Sequence, residues 1–463
     1  MNIWYAHHYG GGPGIGAYDR PLRLAQSWLE QGHSATVFIA AFHHLLERRE
    51  PLPPEMTVEG VRYVCLPARP YSGNGVARLL NMWDFCKGLN RLSRRPAGDL
   101  PRPDAIIVSS PHPFAIFAGW RLARRFGARL VFEIRDIWPL SITEITGTSK
   151  WHPFVLFCRF TEWFALTRCD LVASVLPRAD LYLAERGYAH KRFVWVPNGV
   201  AADGGQAPTL TSDAAIEAAR RLDAWRGEGR ATIIYTGSIG APNAVDLLVQ
   251  ALAHGEKHPG PVRFAAVIVG SGDQLGALRA YALEHGLTNI HFTGRLAKGD
   301  ALGLLPLADI GYAGLRNIGT LFRYGISPNK IIDYFQAGLP VYLPIAPCGD
   351  PVSESGGGIA EAAETPQAVW NGLTRLMASP PEPPAGPGAA TAGGASDAGS
   401  ASPPAPTAGS ASPPAPTAGR DSFPRSTAGR DSFPRSTAGR DYILRKLHYG
   451  AIAKTYALAL GEA

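Results

Sequence analysis

Short apolar runs rich in β-branched residues alternate along the chain with longer segments whose apolar positions recur every three to four residues. The runs are "NIWYAH" (2–7), "ATVFIA" (35–40), "VRYVCL" (61–66), "AIIVSS" (105–110), "RLVFEI" (129–134) and "LVASV" (171–175), with helical patterns such as "RPLRLAQSWLEQGH" between several of them. Such alternation builds βαβ units and a parallel sheet. It restarts after about residue 228 with "ATIIYTG" (231–237), "RFAAVIVG" (263–270), "NIHFTG" (289–294), "ADIGYAG" (308–314) and "PVYLPI" (340–345). The Gly/Pro-rich stretch "VPNGVAADGGQAPTL" (196–210) separates the two series. The pattern predicts two doubly wound α/β domains, over 1–200 and 229–379, joined by a linker over 201–228.

The periodicity lapses over 380–440, where "ASPPAPTAGS", "ASPPAPTAGR" and two copies of "DSFPRSTAGR" form ten-residue tandem repeats. Pro, Ala, Ser, Thr and Gly cannot bury enough apolar surface to offset their ordering entropy, so a disordered insert is expected. Helical periodicity returns over 441–463, with Ile443, Leu444, Leu447, Ile452, Tyr456 and Leu460 as the apolar positions. A helix beyond such an insert is expected to dock back on the body.

A chain of 463 residues that is 46% hydrophobic and 18% charged has material for more than one core. Its formal charge of +7 favours an anionic partner, either a phosphorylated substrate or an acidic membrane surface. No Lys/Arg run is interleaved with aromatics, so no nucleic acid is expected. Five scattered cysteines without a C-x-x-C argue against a disulfide framework or a zinc site and suit a reducing compartment. Neither a signal peptide nor a run of about 18 apolar residues is present, so the expected location is the cytoplasm or the inner face of the cell membrane.

The segment "HHYGGGPGIGAYDRPLRLA" (7–25) packs five glycines between a strand and a helix, where backbone N–H groups could face an anion. Gly12, Gly14 and Ala17 satisfy G-x-G-x-x-A, yet the next strand ends "VFIAAFHHLL" without the acidic residue that a dinucleotide ribose requires. Pro13 also removes an N–H from the turn. A turn built only for chain reversal remains the alternative to a phosphate cradle. In the second domain "SPNKIIDYFQAGLPV" (327–341) places Ser327, Pro328 and Asn329 ahead of an amphipathic helix that ends at Gly338. Ser327 or Asn329 is expected to cap it. Lys330 and Asp333 lie three apart on one face, and a cation at a helix start opposes the dipole unless an anion such as phosphate sits there. An ordinary i,i+3 ion pair is the other reading of that spacing.

Together with "VFEIRDIWPLSI", "VPNGV", "IIYTGSIG" and "VIVGSGDQLGALRAYALEHGLTNIHFTGRLAKGDALGLLPLADIGY", these stretches resemble GT-B-fold glycosyltransferases of family 4, the retaining group, of the bacterial polysaccharide type. The likeness covers nearly everything except 380–438. It implies two Rossmann-like domains facing a cleft, with the nucleotide-sugar donor, expected to be UDP-linked, on the second and the acceptor on the first. Asp333 matches the second acidic residue of the family's E-x7-E motif, which binds ribose hydroxyls, whereas the first position falls at Gly325. The Arg/Lys pair that many members carry after the first strand of this domain is missing from "GSIGAPNAVD" (237–246). The diphosphate is therefore expected on Lys330, the N–H groups of Gly237 and Ser238, and the helix start at Ser327 and Asn329. Arg295 is expected to touch base or phosphate, with Gly270 and Gly272 near the cleft and Gly14 and Gly16 facing the diphosphate.

On the acceptor side the resemblance points to Glu133 and Arg135, with Asp136 as the catalytic candidate that orients or deprotonates the acceptor hydroxyl; a structural carboxylate is the other reading of Asp136. Many relatives have His-Asp where this chain has Arg135-Asp136. Retention without a protein nucleophile is implied, with no cofactor and no metal. Segments 69–96 and 151–169 mix aromatics with Arg and Lys at helical spacing, which suits packing on the sheet or contact with a membrane. A polyprenyl-diphosphate-linked or oligosaccharide acceptor follows from the resemblance. A sugar-nucleotide epimerase and an inactive nucleotide-sugar-binding protein are the alternatives.

Overall fold

The computed structural model describes residues 1–16, 18–47, 50–73, 75–93, 99–201, 208–378 and 437–462. Ala17, part of the expected linker and nearly all of the repeat segment lie outside the described residues. The first domain holds strands β1 (Asn2–Ala6), β2 (Ser34–Ala40), β3 (Glu55–Val58), β4 (Val61–Leu66), β5 (Ala105–Ser110), β6 (Arg129–Ile134), β7 (Leu171–Ser174) and β8 (Phe193–Trp195). They form one sheet in the order β3-β4-β2-β1-β5-β6-β7-β8, parallel except for the β3–β4 pair. The second domain holds β9 (Arg230–Thr236), β10 (Arg263–Val269), β11 (Ile290–Gly294), β12 (Ile310–Tyr312), β13 (Val341–Leu343) and β14 (Gly358–Ala360). These form a parallel sheet in the order β11-β10-β9-β12-β13-β14. The architecture is the expected one of two doubly wound domains, a GT-B fold.

Both faces of each sheet are covered. In the first domain the helix Arg20–Glu30 and the terminal helix Tyr449–Glu462 pack on one face, and the helices Val76–Leu92, Ile116–Phe126 and Pro153–Arg168 on the other. Strand residues divide between these cores by parity: Val131 faces the first helical layer, while Leu130, Phe132 and Ile134 face the second. The chain returns from the second domain through the helix Thr437–Lys446, whose Tyr442 and Ile443 enter that domain's core. The Trp28 indole donates to the Ala453 carbonyl at 3.1 Å, joining the terminal helix to the first domain. Of the expected apolar positions Leu444 is the exception, at 54% exposed.

The domains also meet beside the cleft. Arg178 N–H donates to the Tyr324 carbonyl at 3.0 Å. Tyr324 is buried in the first domain's core, edge-on to Tyr182 at 5.2 Å, and its hydroxyl donates to Glu185 at 2.7 Å. Next in the chain, Gly325 adopts φ +90°, and a Cβ there would overlap the Pro177 ring. The acidic residue that relatives carry at this position would therefore strain the backbone and collide across the domain contact.

Candidate active site

Doubly wound sheets bind ligands beyond the carboxyl ends of their strands, where the strand order reverses. In the second sheet that point lies between β9 and β12, and a cavity of about 340 Å³ opens at the end of β9. Thr236, Gly237, Lys298, Asn329, Lys330 and Asp333 supply its polar lining, and Ala301, Leu302 and Leu305 its apolar wall. The helix Asn329–Gln336 positions three of these residues. Its apolar side, Ile331, Ile332, Tyr334 and Phe335, is buried in the domain, which turns Lys330 and Asp333 to the cleft.

Lys330 Nζ lies 3.2 Å from Asn243 Oδ1, 3.3 Å from the Tyr235 hydroxyl and 4.4 Å above the Tyr235 ring. None of these partners carries a negative charge. Removal from water therefore dominates and lowers the ammonium pKa to about 7. Asp333 is held 3.4 Å from Lys298 Nζ. Burial pushes its carboxyl above the usual aspartate value, and Lys298 opposes that rise. The i,i+3 Lys330–Asp333 pair is thus not formed. Lys298, which completes the site, carried no signal in the sequence beyond a cation at another helix start.

Several expected donor residues have other tasks. Pro328, not Ser327 or Asn329, occupies the N-cap position, and no side chain caps the helix. The Ser327 hydroxyl accepts from Asn198 N–H at 3.2 Å, and its carbonyl accepts from the Asn198 amide at 2.7 Å, so this residue ties the two domains. Gly237 lines the cavity, but its N–H is given to Val269. A Cβ at Gly270 would fall on the Gly237 carbonyl, and one at Gly272 on the Ile239 carbonyl. These glycines let two strand-end loops nest. Ser238 is exposed beside the cavity, with its carbonyl accepting from Tyr235 at 2.5 Å. Arg295 is exposed past the end of β11 and is not among the cavity's lining residues.

The first domain's glycine loop is largely closed on itself. Gly12 and Gly16 exchange both backbone hydrogen bonds, at 2.9 and 3.0 Å, and Gly11 N–H donates to Tyr18 at 2.7 Å. A Cβ at Gly16 would strike the Leu45 carbonyl. Gly16 therefore serves the turn and has no N–H to offer a phosphate, whereas Gly14 sits exposed at the tip with φ +71°. The loop leads to Asp19, whose charge helps to raise the Asp333 pKa and so marks the two walls as facing each other.

Glu133 is no acceptor contact. Its side chain is fully buried, accepting from Tyr5 at 2.8 Å and Ser109 at 2.7 Å and pairing with Arg20 at 3.2 Å. Burial would raise its pKa, but Arg20 and the other donors outweigh that and hold it below the usual value. Arg20 in turn donates to the carbonyls of Val196 and Pro197, where the chain leaves the first domain. Arg135 lies over the Tyr18 ring at 4.7 Å. Asp136 is exposed at the end of β6; partial removal of its carboxyl from water raises its pKa, and Arg135 opposes that rise.

Comparison with known proteins agrees with the two-domain fold. Residues 16–199 match the family model described as glycosyl transferase 4-like domain, and residues 230–379 match glycosyl transferases group 1. No curated protein matches the chain in sequence. Among solved structures it is similar to a sucrose-phosphate synthase from Thermosynechococcus elongatus, with 14% identity, TM-score 0.65, and 100% of this chain and 98% of that one covered. Anabaena HepE in complex with UDP and glucose gives 13%, 0.60, and 100% of both chains. A trehalose 6-phosphate synthase from Burkholderia multivorans gives 14%, 0.53, and 100% of this chain and 96% of that one. With both domains matched by glycosyltransferase models on a GT-B frame, the chain belongs to the glycosyltransferases.

Proposed function

We propose that the chain is a retaining glycosyltransferase that moves a sugar from a UDP-linked donor to a lipid-linked saccharide in bacterial surface polysaccharide synthesis. The observation that carries the donor half is the cavity with Lys330, Lys298 and Asp333 on one wall. Asp333 offers a carboxylate to two ribose hydroxyls, and the two lysines meet the diphosphate. A HepE structure in complex with UDP-glucose supports this reading. In this reading Lys330 stabilises the departing diphosphate electrostatically, without a resident metal, and Asp136 orients the acceptor hydroxyl on the face that the donor leaves. Calorimetric titration with UDP, GDP and dTDP tests the assignment: UDP should bind, and Lys330→Ala should weaken it by roughly tenfold or more, as loss of a charge-assisted contact does. An unchanged affinity would refute the site.

The lipid half rests on the first domain's outer helices. Met82, Phe85 and Leu89 of the helix Val76–Leu92 pack inward, as do Val155, Ala165 and Leu166 of the helix Pro153–Arg168. The opposite sides leave Val76, Trp83, Phe160 and Trp163 at 71, 65, 50 and 49% exposed, and Trp151 beside them at 69%. Lys87, Arg91, Arg121 and Arg168 are exposed on these helices and the one between them. Aromatic side chains bordered by cations complement an anionic bilayer. No helix among the described residues is long and apolar enough to cross a membrane. Co-sedimentation with phosphatidylglycerol vesicles should exceed that with phosphatidylcholine vesicles and fall in Trp83→Ser/Trp163→Ser. Equal recovery in all three cases would sink the membrane reading.

A further inference from the structure

Three polar groups on the first-domain wall are buried without a hydrogen-bond partner: both ring nitrogens of His7, the Tyr18 hydroxyl and Arg135 Nη1. They form one stack. The His7 and Tyr18 rings lie 4.9 Å apart at 22°, and the Arg135 guanidinium lies 4.7 Å from the same Tyr18 ring. Their backbones come from three places that the fold brings together: the end of β1, the exit of the glycine loop and the end of β6. β1 and β5 are the strands between which the first sheet reverses order, so the stack stands beside that domain's own switch point.

A buried donor left unpaired costs roughly 1–3 kcal/mol, and native structures leave few of them. Three together at a cleft wall describe a site completed by a ligand. No direct ion pair satisfies it: Arg20 is consumed by Glu133, and Arg135, though close enough to Glu133 and Asp136 to lower their pKa values, makes no ion pair among the described residues. Burial keeps the proton on Tyr18, so its hydroxyl donates, and burial with the two arginines keeps His7 neutral. The stack thus holds a fixed cation, an O–H donor and an imidazole able to donate one N–H, each with a buried polar atom that lacks a partner. A neutral sugar hydroxyl would leave the guanidinium without a direct ion pair. A carboxylate or phosphate matches all three.

We propose that Arg135, Tyr18 and His7 form a subsite for an anionic oxygen group carried by a substrate, opposite the nucleotide cavity. The inference rests on the reading of that cavity as the nucleotide-sugar site. The anion has two possible sources: the carboxylate of a hexuronosyl donor, or the phosphate that adjoins a lipid-linked acceptor. Guanidinium recognition of either is bidentate and charge-assisted.

Binding calorimetry on the full chain separates them. UDP-glucuronate is compared with UDP-glucose, and, with the nucleotide cavity saturated by UDP, geranyl diphosphate is compared with geraniol. The subsite predicts that one anionic ligand outbinds its neutral counterpart by roughly tenfold or more. Arg135→Gln should collapse that ratio to near one, and Arg135→Lys, which keeps the charge, should retain part of it. A preference confined to the first pair assigns the anion to the donor, and one confined to the second assigns it to the acceptor. No preference in either pair, or a preference that survives in Arg135→Gln, overturns the subsite. UDP alone on the unmodified protein is the control: if it does not bind, the proposed function fails, whereas if it binds and neither ratio responds, only the subsite falls.

Discussion

Raising the pH should weaken UDP-glucose binding, because Lys330 holds its proton poorly until a diphosphate arrives. In the free protein its ammonium has a hydroxyl, an amide oxygen and a ring face for company, and its pKa falls to about 7. Asp333, one turn along the same helix, is paired with Lys298 instead. A diphosphate beside Lys330 restores the missing counter-charge and raises its pKa. The sign follows: the free protein loses this proton as pH rises through about 7, the complex retains it, and binding takes up the difference. With the complex fully protonated, the apparent Kd grows as one plus ten to the power of pH minus pKa. That makes it about 25-fold weaker at pH 8.5 than at pH 6.5, with uptake of about 0.9 proton at pH 8. UDP-glucose suits the assay because both its phosphates are esterified and keep constant charge across this range. The Tyr235 hydroxyl is pushed up by burial and stays protonated throughout. Calorimetry at pH 8 in buffers of different ionisation enthalpy counts the protons. Lys330→Arg, charged at every pH, should flatten the profile. Constant affinity between pH 6.5 and 8.5 together with buffer-independent heat would refute the reasoning.

Glu133→Gln leaves Arg20 buried without its counter-ion and should cost about 3–5 kcal/mol in urea denaturation, while UDP still binds the protein that remains folded. Gly325→Glu restores the acidic residue of the family pattern but forces a side chain into left-handed backbone against Pro177. It should lose at least about 1–3 kcal/mol and lower UDP-glucose affinity instead of improving it. Lys298→Ala removes the cation that restrains the Asp333 pKa. Loss of UDP-glucose affinity on acidification should then begin at a higher pH than in the unmodified protein, as read by calorimetry across the acid range.

The two-domain plan was legible because strands covered on both faces must be apolar along their length, and β5 is buried at every residue. β3, β8 and β14 escaped because they are edge strands of three or four residues, too short to show a period. Lys330 and Asp333 were legible because one helix places both. Lys298 was not, because its partner lies 35 positions further along and only the folded chain joins them. Glycine was the least informative letter. A glycine that lets two backbones nest, as Gly270 does against Gly237, reads the same as one that lets a phosphate approach. Glu133 was misassigned although parity could have placed it: Val131, two residues earlier, faces the helix that carries Arg20.

The departures from the family pattern are physically linked. Tyr324 enters the first domain's core, and the chain must then turn through φ +90° against Pro177, which leaves no room for a side chain at position 325. A carboxylate there is therefore incompatible with this domain contact, whatever it would add to sugar binding. Under the proposed function the second domain keeps the nucleotide through Lys330, Lys298 and Asp333, and contacts to the transferred group fall to the opposite wall. On that wall Arg135 stands where the family pattern often has histidine, with an unpaired guanidinium nitrogen next in the chain to an exposed Asp136. With a fixed cation gained on one wall and a carboxylate lost from the facing wall, each wall becomes more positive by one charge and the cleft between them by two. Coulomb's law at separations of a few ångström then favours a substrate bearing negative charge near the reacting carbon over one bearing only hydroxyls. The missing glutamate and the substituted histidine thus shift the cleft's electrostatics in the same direction.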